Sequence, residues 1–288
     1  MRLSTPRDRS APHRKFYARY VTLRGGAADP RIEAAFAAVK RENFLGPGPW
    51  WLPGGPDATG AARPGYFLTP DADPAYIYQD ILVALAPEKR INNGEPSLHA
   101  RCLEALAVQD DETVLHVGAG TGYYSAILGR LAGRVLAYEV EPALAARAAQ
   151  NLLDVANVEL RARSGIGDHL PPADVIYVNA GITQPEPSWL AALRPGGRLL
   201  FPLQPADRFG GMLLITRPAT GDIWPARFVC RAGFIACDGV QDVTNREALT
   251  KAFVGDRWQR VRALRLNSEP DATCWVAGKD WWLATARQ

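Results

Sequence analysis

The chain reads as an α/β protein with a mostly parallel sheet covered by helices on both faces. Three observations predict this. Strand-like and helix-like segments alternate between residues 113 and 203. The first of those strands runs into a glycine turn, Gly118-Ala119-Gly120-Thr121-Gly122, that opens a helix. The 288 residues, 47% hydrophobic and 22% charged, suffice for one large core with appendages. Strands that alternate with helices need crossover connections, and crossovers give parallel pairs buried on both sides.

The elements follow in order. Residues 1–30 begin with a basic arm: residues 1–24 carry +6 and the rest of the chain −3. Such an arm is either a solvated terminus or a contact for an acidic partner such as nucleic acid. A unit from 31 to 110 comes next. Ile32, Ala35, Phe36 and Val39 recur at helical spacing, which predicts a helix over 31–44. Residues 46–75, rich in Gly and Pro, read as a long loop. Trp50 and Trp51 in it either line a pocket or tie the loop to the core. Residues 96–107 read as a helix, with Pro96 in the first turn where its missing N–H costs nothing.

A core unit spans 111–237. Its expected strands are 113–117, 134–140, 158–163, 174–180, 197–203, 211–217 and 226–237, with helices over 123–132, 142–155 and 188–194. Beyond it, 238–288 reads as a β-rich extension: a helix near 244–254, a strand over 261–267, and a strand over 273–285 folded at Gly278-Lys279-Asp280. Five of the eight tryptophans fall after residue 220, where they pack a β appendage or bind a ligand.

Several classes are excluded. No apolar run reaches the roughly 18–20 residues of a membrane helix. The first residues lack the apolar segment of a secretory signal, so a cytoplasmic protein is expected, with no membrane partner. Cys102, Cys230, Cys237 and Cys274 are widely spaced, so neither a metal site nor a disulfide framework is expected.

The glycine turn carries the chemistry. Glycines there let a ligand approach the backbone, and the helix that follows presents free N–H groups. Glu139 stands 21 residues after Gly118, at the end of the second strand, where a carboxylate can accept hydrogen bonds from two ribose hydroxyls. A dinucleotide site uses G-x-G-x-x-G; here Tyr123 takes the third glycine's place and the spacing is G-x-G-x-G. That form suits S-adenosylmethionine, which has no phosphate to cradle. The candidate cofactor residues are Gly118, Ala119, Gly120, Thr121 and Tyr123, then Glu139 and Val140, and Asn179 at the end of the next strand but one.

Together these residues resemble the protein-L-isoaspartate O-methyltransferase family over about residues 31–237. The likeness lies in Arg41-Glu42-Asn43-Phe44, Tyr78-Gln79-Asp80, VLHVGAGTGYYSAILGRLAGRVLAYEVEPAL, DVIYVNAG and LRPGGRLLFPL. It implies a Rossmann-like seven-stranded sheet of the class I methyltransferase type. It also implies carboxyl O-methylation of a peptide or protein acceptor, with S-adenosylmethionine as methyl donor. The family's Thr-Ile-Ser segment falls on Asn92-Asn93-Gly94, with Gly94 in the Ser place; Asn92, Asn93, Gly94 and Ser97 become the candidate acceptor-side catalytic residues. The family's acid in the first strand becomes His116, and the acid that meets adenine becomes Ser164, next to Gly165; these three join the cofactor set. An alcohol or amine acceptor would need a base, for which His99 and His169 are the candidates. Two alternatives stay open: methylation of a small molecule or RNA, and binding of the cofactor without catalysis.

Overall fold

The computed structural model describes residues 9–54, 65–205, 209–237 and 242–287. Its N-terminal part contains α1 (Ala11–Gly25), α2 (Pro30–Ala38), α3 (Glu42–Leu45), a hairpin of β1 (Trp51–Pro53) and β2 (Tyr66–Leu68), a second short pair of β3 (Ala84–Ala86) and β4 (Ile91–Asn92), and α4 (Pro96–Leu106). The core follows as β5 (Thr113–Val117), α5 (Tyr123–Leu128), β6 (Arg134–Tyr138), α6 (Pro142–Asn151), β7 (Val158–Arg161), β8 (Ala173–Val178), α7 (Pro187–Ala192) and β9 (Leu193–Leu203). Then come β10 (Gly210–Thr216), β11 (Ile223–Ala232), α8 (Val243–Ala252), β12 (Ala263–Leu266), β13 (Cys274–Ala277) and β14 (Trp281–Ala284).

One sheet runs in the order β13-β14-β12-β11-β10-β9-β8-β5-β6-β7. The half from β7 to β9 is parallel, as the crossovers demand, and from β9 outward every pair is antiparallel. Strands β5 to β11 make the expected seven. The extension continues that sheet to ten strands, because Ile223–Pro225 of β11 offers an open edge on which β12 pairs. Neighbouring residues along β5 and β6 face opposite sides: Val114 and Val135 enter one apolar core, Leu115 and Leu136 the other. Four helices open on proline, at Pro30, Pro96, Pro142 and Pro187.

The N-terminal reading needs correction. From Ala11 onward the basic stretch is a helix, not a solvated arm, with Tyr17, Ala18 and Val21 fully buried against α2 and α4. Those apolar residues lie on one face beneath the arginines. Residues 1–8 of the arm lie outside the described residues. The helix expected over 31–44 breaks, since Val39 turns extended and α3 restarts at Glu42. The long loop folds into the β1–β2 hairpin, with residues 55–64 outside the described set. Trp50 is buried and its indole N–H donates to the Gly46 carbonyl at 3.0 Å, so it ties the loop down, while Trp51 stays 41% exposed.

Arg41 organises this layer. It is fully buried, lies over the rings of Tyr17 and Tyr123, and donates to the carbonyls of Ile77, Gln79 and Ile81. Asp80, inside that clamped segment, accepts the Ser97 N–H at 2.8 Å and pairs with Arg24 at 3.1 Å. It thereby satisfies an otherwise open donor at the start of α4 and sets the position of the preceding turn.

Candidate active site

A cavity of about 460 Å³ opens at the C-terminal ends of β5 and β8, where ligands bind in open α/β sheets. One wall is the glycine turn, Gly118 to Thr121. The facing wall is Asn92-Asn93-Gly94-Glu95, and Phe234 closes the back. Gln204 holds that back wall: its Nε2 donates to the Phe234 carbonyl and its Oε1 accepts the Phe234 N–H, both at 2.8 Å.

The turn is held from β6. Gly120 has φ +59°, and its N–H donates to Glu139 Oε2 at 2.7 Å, while Glu139 Oε1 accepts the Glu141 N–H at 2.9 Å. The carboxylate thus fastens the turn to the end of the strand, with lone pairs left for hydroxyl donors. Burial raises its pKa, and the backbone donors oppose that shift.

Five residues that line this cavity each carry a buried polar atom without a protein partner: Asn93 Nδ2, His99 Nε2, Thr121 Oγ1, Tyr124 OH and Asn179 Oδ1. Buried polar groups are otherwise hydrogen-bonded almost throughout a folded chain. This set, in a cavity lined by a glycine turn that admits a ligand to the backbone, fits a polar organic cofactor and its acceptor.

The model of the family "Protein-L-isoaspartate(D-aspartate) O-methyltransferase" matches residues 64–227, more than half of the chain. The chain belongs to this family. A protein-L-isoaspartate O-methyltransferase of Anaeromyxobacter dehalogenans (strain 2CP-C) is 41% identical over 145 residues, covering 47% of this chain and 69% of the relative. One from Rhodopseudomonas palustris is 31% identical over 201 residues, covering 68% and 80%. Among solved structures, a protein-L-isoaspartate O-methyltransferase superposes with a TM-score of 0.62 at 22% identity, over 78% of this chain and 66% of the other. A Plasmodium falciparum structure described as the same kind of enzyme, in complex with S-adenosyl-L-homocysteine, gives 0.59 at 16% identity, over 77% and 97%. Both structures share the fold. As a member of the protein-L-isoaspartate O-methyltransferase family, the protein is an S-adenosylmethionine-dependent methyltransferase.

The structure sorts the expected site residues. Gly118, Ala119, Gly120, Thr121, Tyr123 and Asn179 line the cavity, as do Asn92, Asn93 and Gly94. Glu139 stands behind the turn, and Val140 beside it is 65% exposed. Gly165 is buried under the sheet's end, where an added Cβ would lie 2.7 Å from Val117 Cγ1. Ser164 is exposed; its Oγ accepts the Ile166 N–H and its carbonyl accepts from His169 Nε2 at 3.1 Å. His169 is likewise exposed and lies outside the cavity lining.

Two further expected residues lie outside the lining. His116 does not face the cavity: it is fully buried, stacks on Tyr177, and spans Ser125 and Asn179. It supports Asn179 and has no route to the cofactor of its own. Ser97 is also turned away. Its N–H is occupied by Asp80 and its hydroxyl faces Glu95 Oε1 at 3.5 Å, outside the lining. Glu95 itself points outward on the rim, its pKa raised by burial and by Asp80.

Asn92 and Asn93 first shape the loop. Asn92 Oδ1 accepts the Gly94 N–H at 3.0 Å, and Asn93 Oδ1 accepts the Val83 N–H at 2.8 Å. His99, a candidate base from sequence, lines the cavity, with Tyr124 and Phe234 beside it. Among the described residues, no cluster of three or more metal-ligating side chains exists, and no helix is long and apolar enough to cross a membrane.

Proposed function

We propose that this methyltransferase acts on a carboxylate of a peptide or protein acceptor. The observation that carries the reading is the cavity's two-walled form: a glycine turn tied to Glu139 on one side, polar loop amides and an imidazole on the other. Gly118, Gly120, Thr121, Glu139 and Asn179 would hold S-adenosylmethionine, which supplies an electrophilic methyl group. The acceptor would enter against Asn92, Asn93 and His99.

A carboxylate is already ionised at neutral pH, so no base is required. The chain's own residues orient the acceptor oxygen and exclude water around it. His99 suits this chemistry, because burial holds it neutral and a poor proton acceptor. The test is transfer of a radioactive methyl group to an isoaspartyl peptide and to an unmodified peptide. Label that mild alkali releases supports a methyl ester; alkali-stable label would replace this reading with an N-methyl or nucleic-acid acceptor.

A further inference from the structure

Positions 94 and 99 constrain each other. Gly94 has φ +75°, and a Cβ added there would lie 2.2 Å from His99 Nε2. No other residue fits at 94 while the imidazole stays where it is. The ring is 1% exposed, lies flat on Tyr124 with centroids 3.5 Å apart, and has Nδ1 2.7 Å from the Tyr177 hydroxyl. Tyr177 is buried as a phenol, its pKa pushed well up by burial. With the phenol donating to Nδ1, the ring proton sits on Nε2. That Nε2 is buried without a protein partner, on a residue that lines the cavity together with Asn93 and Gly94. The side chain missing at Gly94 is therefore replaced from the helix behind it.

We propose that His99 is a catalytic residue whose Nε2–H donates a hydrogen bond to the non-reacting oxygen of the acceptor carboxylate. The proposal rests on the carboxyl-acceptor reading above. The reacting oxygen forms its bond to the methyl carbon while the carbon–sulfur bond breaks and that electron pair stays on sulfur. No proton moves, so a donor is sufficient. A neutral donor has an advantage over a cation here. The carboxylate loses its charge as it reacts, and a cation would hold the ground state more tightly than the transition state. The substrate class is thus a carboxylate whose second oxygen reaches a neutral imidazole at the cavity floor.

The test uses the full chain with an isoaspartyl peptide as acceptor. His99→Ala should lower kcat/KM about ten- to hundredfold, the range expected for a hydrogen bond to a charged group. S-adenosylhomocysteine affinity, read by calorimetry, should stay within about threefold and report that the fold is kept. His99→Gln, which retains an N–H donor, should recover part of the loss. Gly94→Ser/His99→Ala should recover part of it as well, by returning a hydroxyl to the vacated space. Independently of any substitution, adding the peptide to the nitrogen-15-histidine-labelled S-adenosylhomocysteine complex should shift the His99 Nε2–H resonance. An unmoved resonance, or kcat/KM for His99→Ala within twofold of wild type, overturns the proposal and leaves carboxyl methylation standing. No alkali-labile methyl transfer by the wild type defeats the carboxyl reading itself, and this proposal with it.

Discussion

His116 Nε2 lies 2.7 Å from the side-chain amide nitrogen of Asn179, and the opposite ring nitrogen lies 2.8 Å from Ser125 Oγ. The amide donates to Nε2, so the ring proton sits on Nδ1 and goes to Ser125. Asn179 is thereby fixed with Oδ1 directed at the cavity. Removing this support should weaken cofactor binding without touching the lining. His116→Phe keeps the stacked ring and deletes both hydrogen bonds, and it should lower S-adenosylhomocysteine affinity about two- to tenfold. Asn179→Ala should lower it at least as much. Calorimetry giving wild-type affinity for Asn179→Ala would remove Asn179 from the cofactor site.

Glu139 joins the glycine turn to the strand end through two backbone donors. Glu139→Ala loses both hydrogen bonds and any bond to a bound hydroxyl. Bonds to a charged group are worth about 1.5–3 kcal/mol each, so affinity should fall at least tenfold. Gly120→Val puts a branched side chain at φ +59°, with its Cβ 3.3 Å from Leu85 Cδ1. It should abolish binding. Equal titration curves for Gly120→Val and wild type would show that the turn is not the cofactor's seat.

Stability should fall with acid, and the histidines give the sign. Burial lowers the His116 pKa to about 3, and His99 is also held well below its ordinary value, by burial, then by His116 and Arg41. Between about pH 6.5 and 3 the unfolded chain takes up protons at these sites that the folded chain refuses. Their contribution is therefore full above pH 6.5 and shrinks as pH drops, at about 1.4 kcal/mol per pH unit for each histidine. His116→Asn should flatten the slope of unfolding free energy between pH 6.5 and 5. Denaturation curves with an unchanged slope would show that His116 titrates normally in the fold.

Arg41 satisfies three carbonyls while buried. Arg41→Met keeps the volume and strands those carbonyls at about 1–3 kcal/mol each. Urea unfolding should show a loss of roughly 3 kcal/mol or more. A loss under 1 kcal/mol would mean the 77–81 segment is held by other contacts.

The βα alternation was legible because buried strands such as Thr113–Val117 and Ala173–Val178 are short, mostly apolar runs, and because Gly118 to Gly122 punctuates them. Helix α1 was hidden. Its buried Tyr17, Ala18 and Val21 are interleaved with the four basic residues Arg14, Lys15, Arg19 and Arg24, and composition outweighs so sparse an apolar face. The break at Val39 was hidden as well, since nothing in its neighbourhood signals a stop. The glycine turn was readable from its spacing together with Glu139 and the strand that ends at Asn179. The pairing of Gly94 with His99 was not, because the ring's position over the loop is set by its distant neighbours Tyr124 and Tyr177. His116 was placed by strand position, which specifies depth along β5 but not which layer the ring enters.

The ten-stranded sheet also sets a timetable for synthesis. The glycine turn and its parallel frame are finished once β9 has been made, yet Phe234 and the rest of the back wall follow β11. The outer end of β11 pairs with β12, and β12 in turn pairs with β14. On a ribosome-bound chain the outer edge of β12 therefore stays unpaired until residues 281–284 emerge. Chaperone capture should be strongest in that interval.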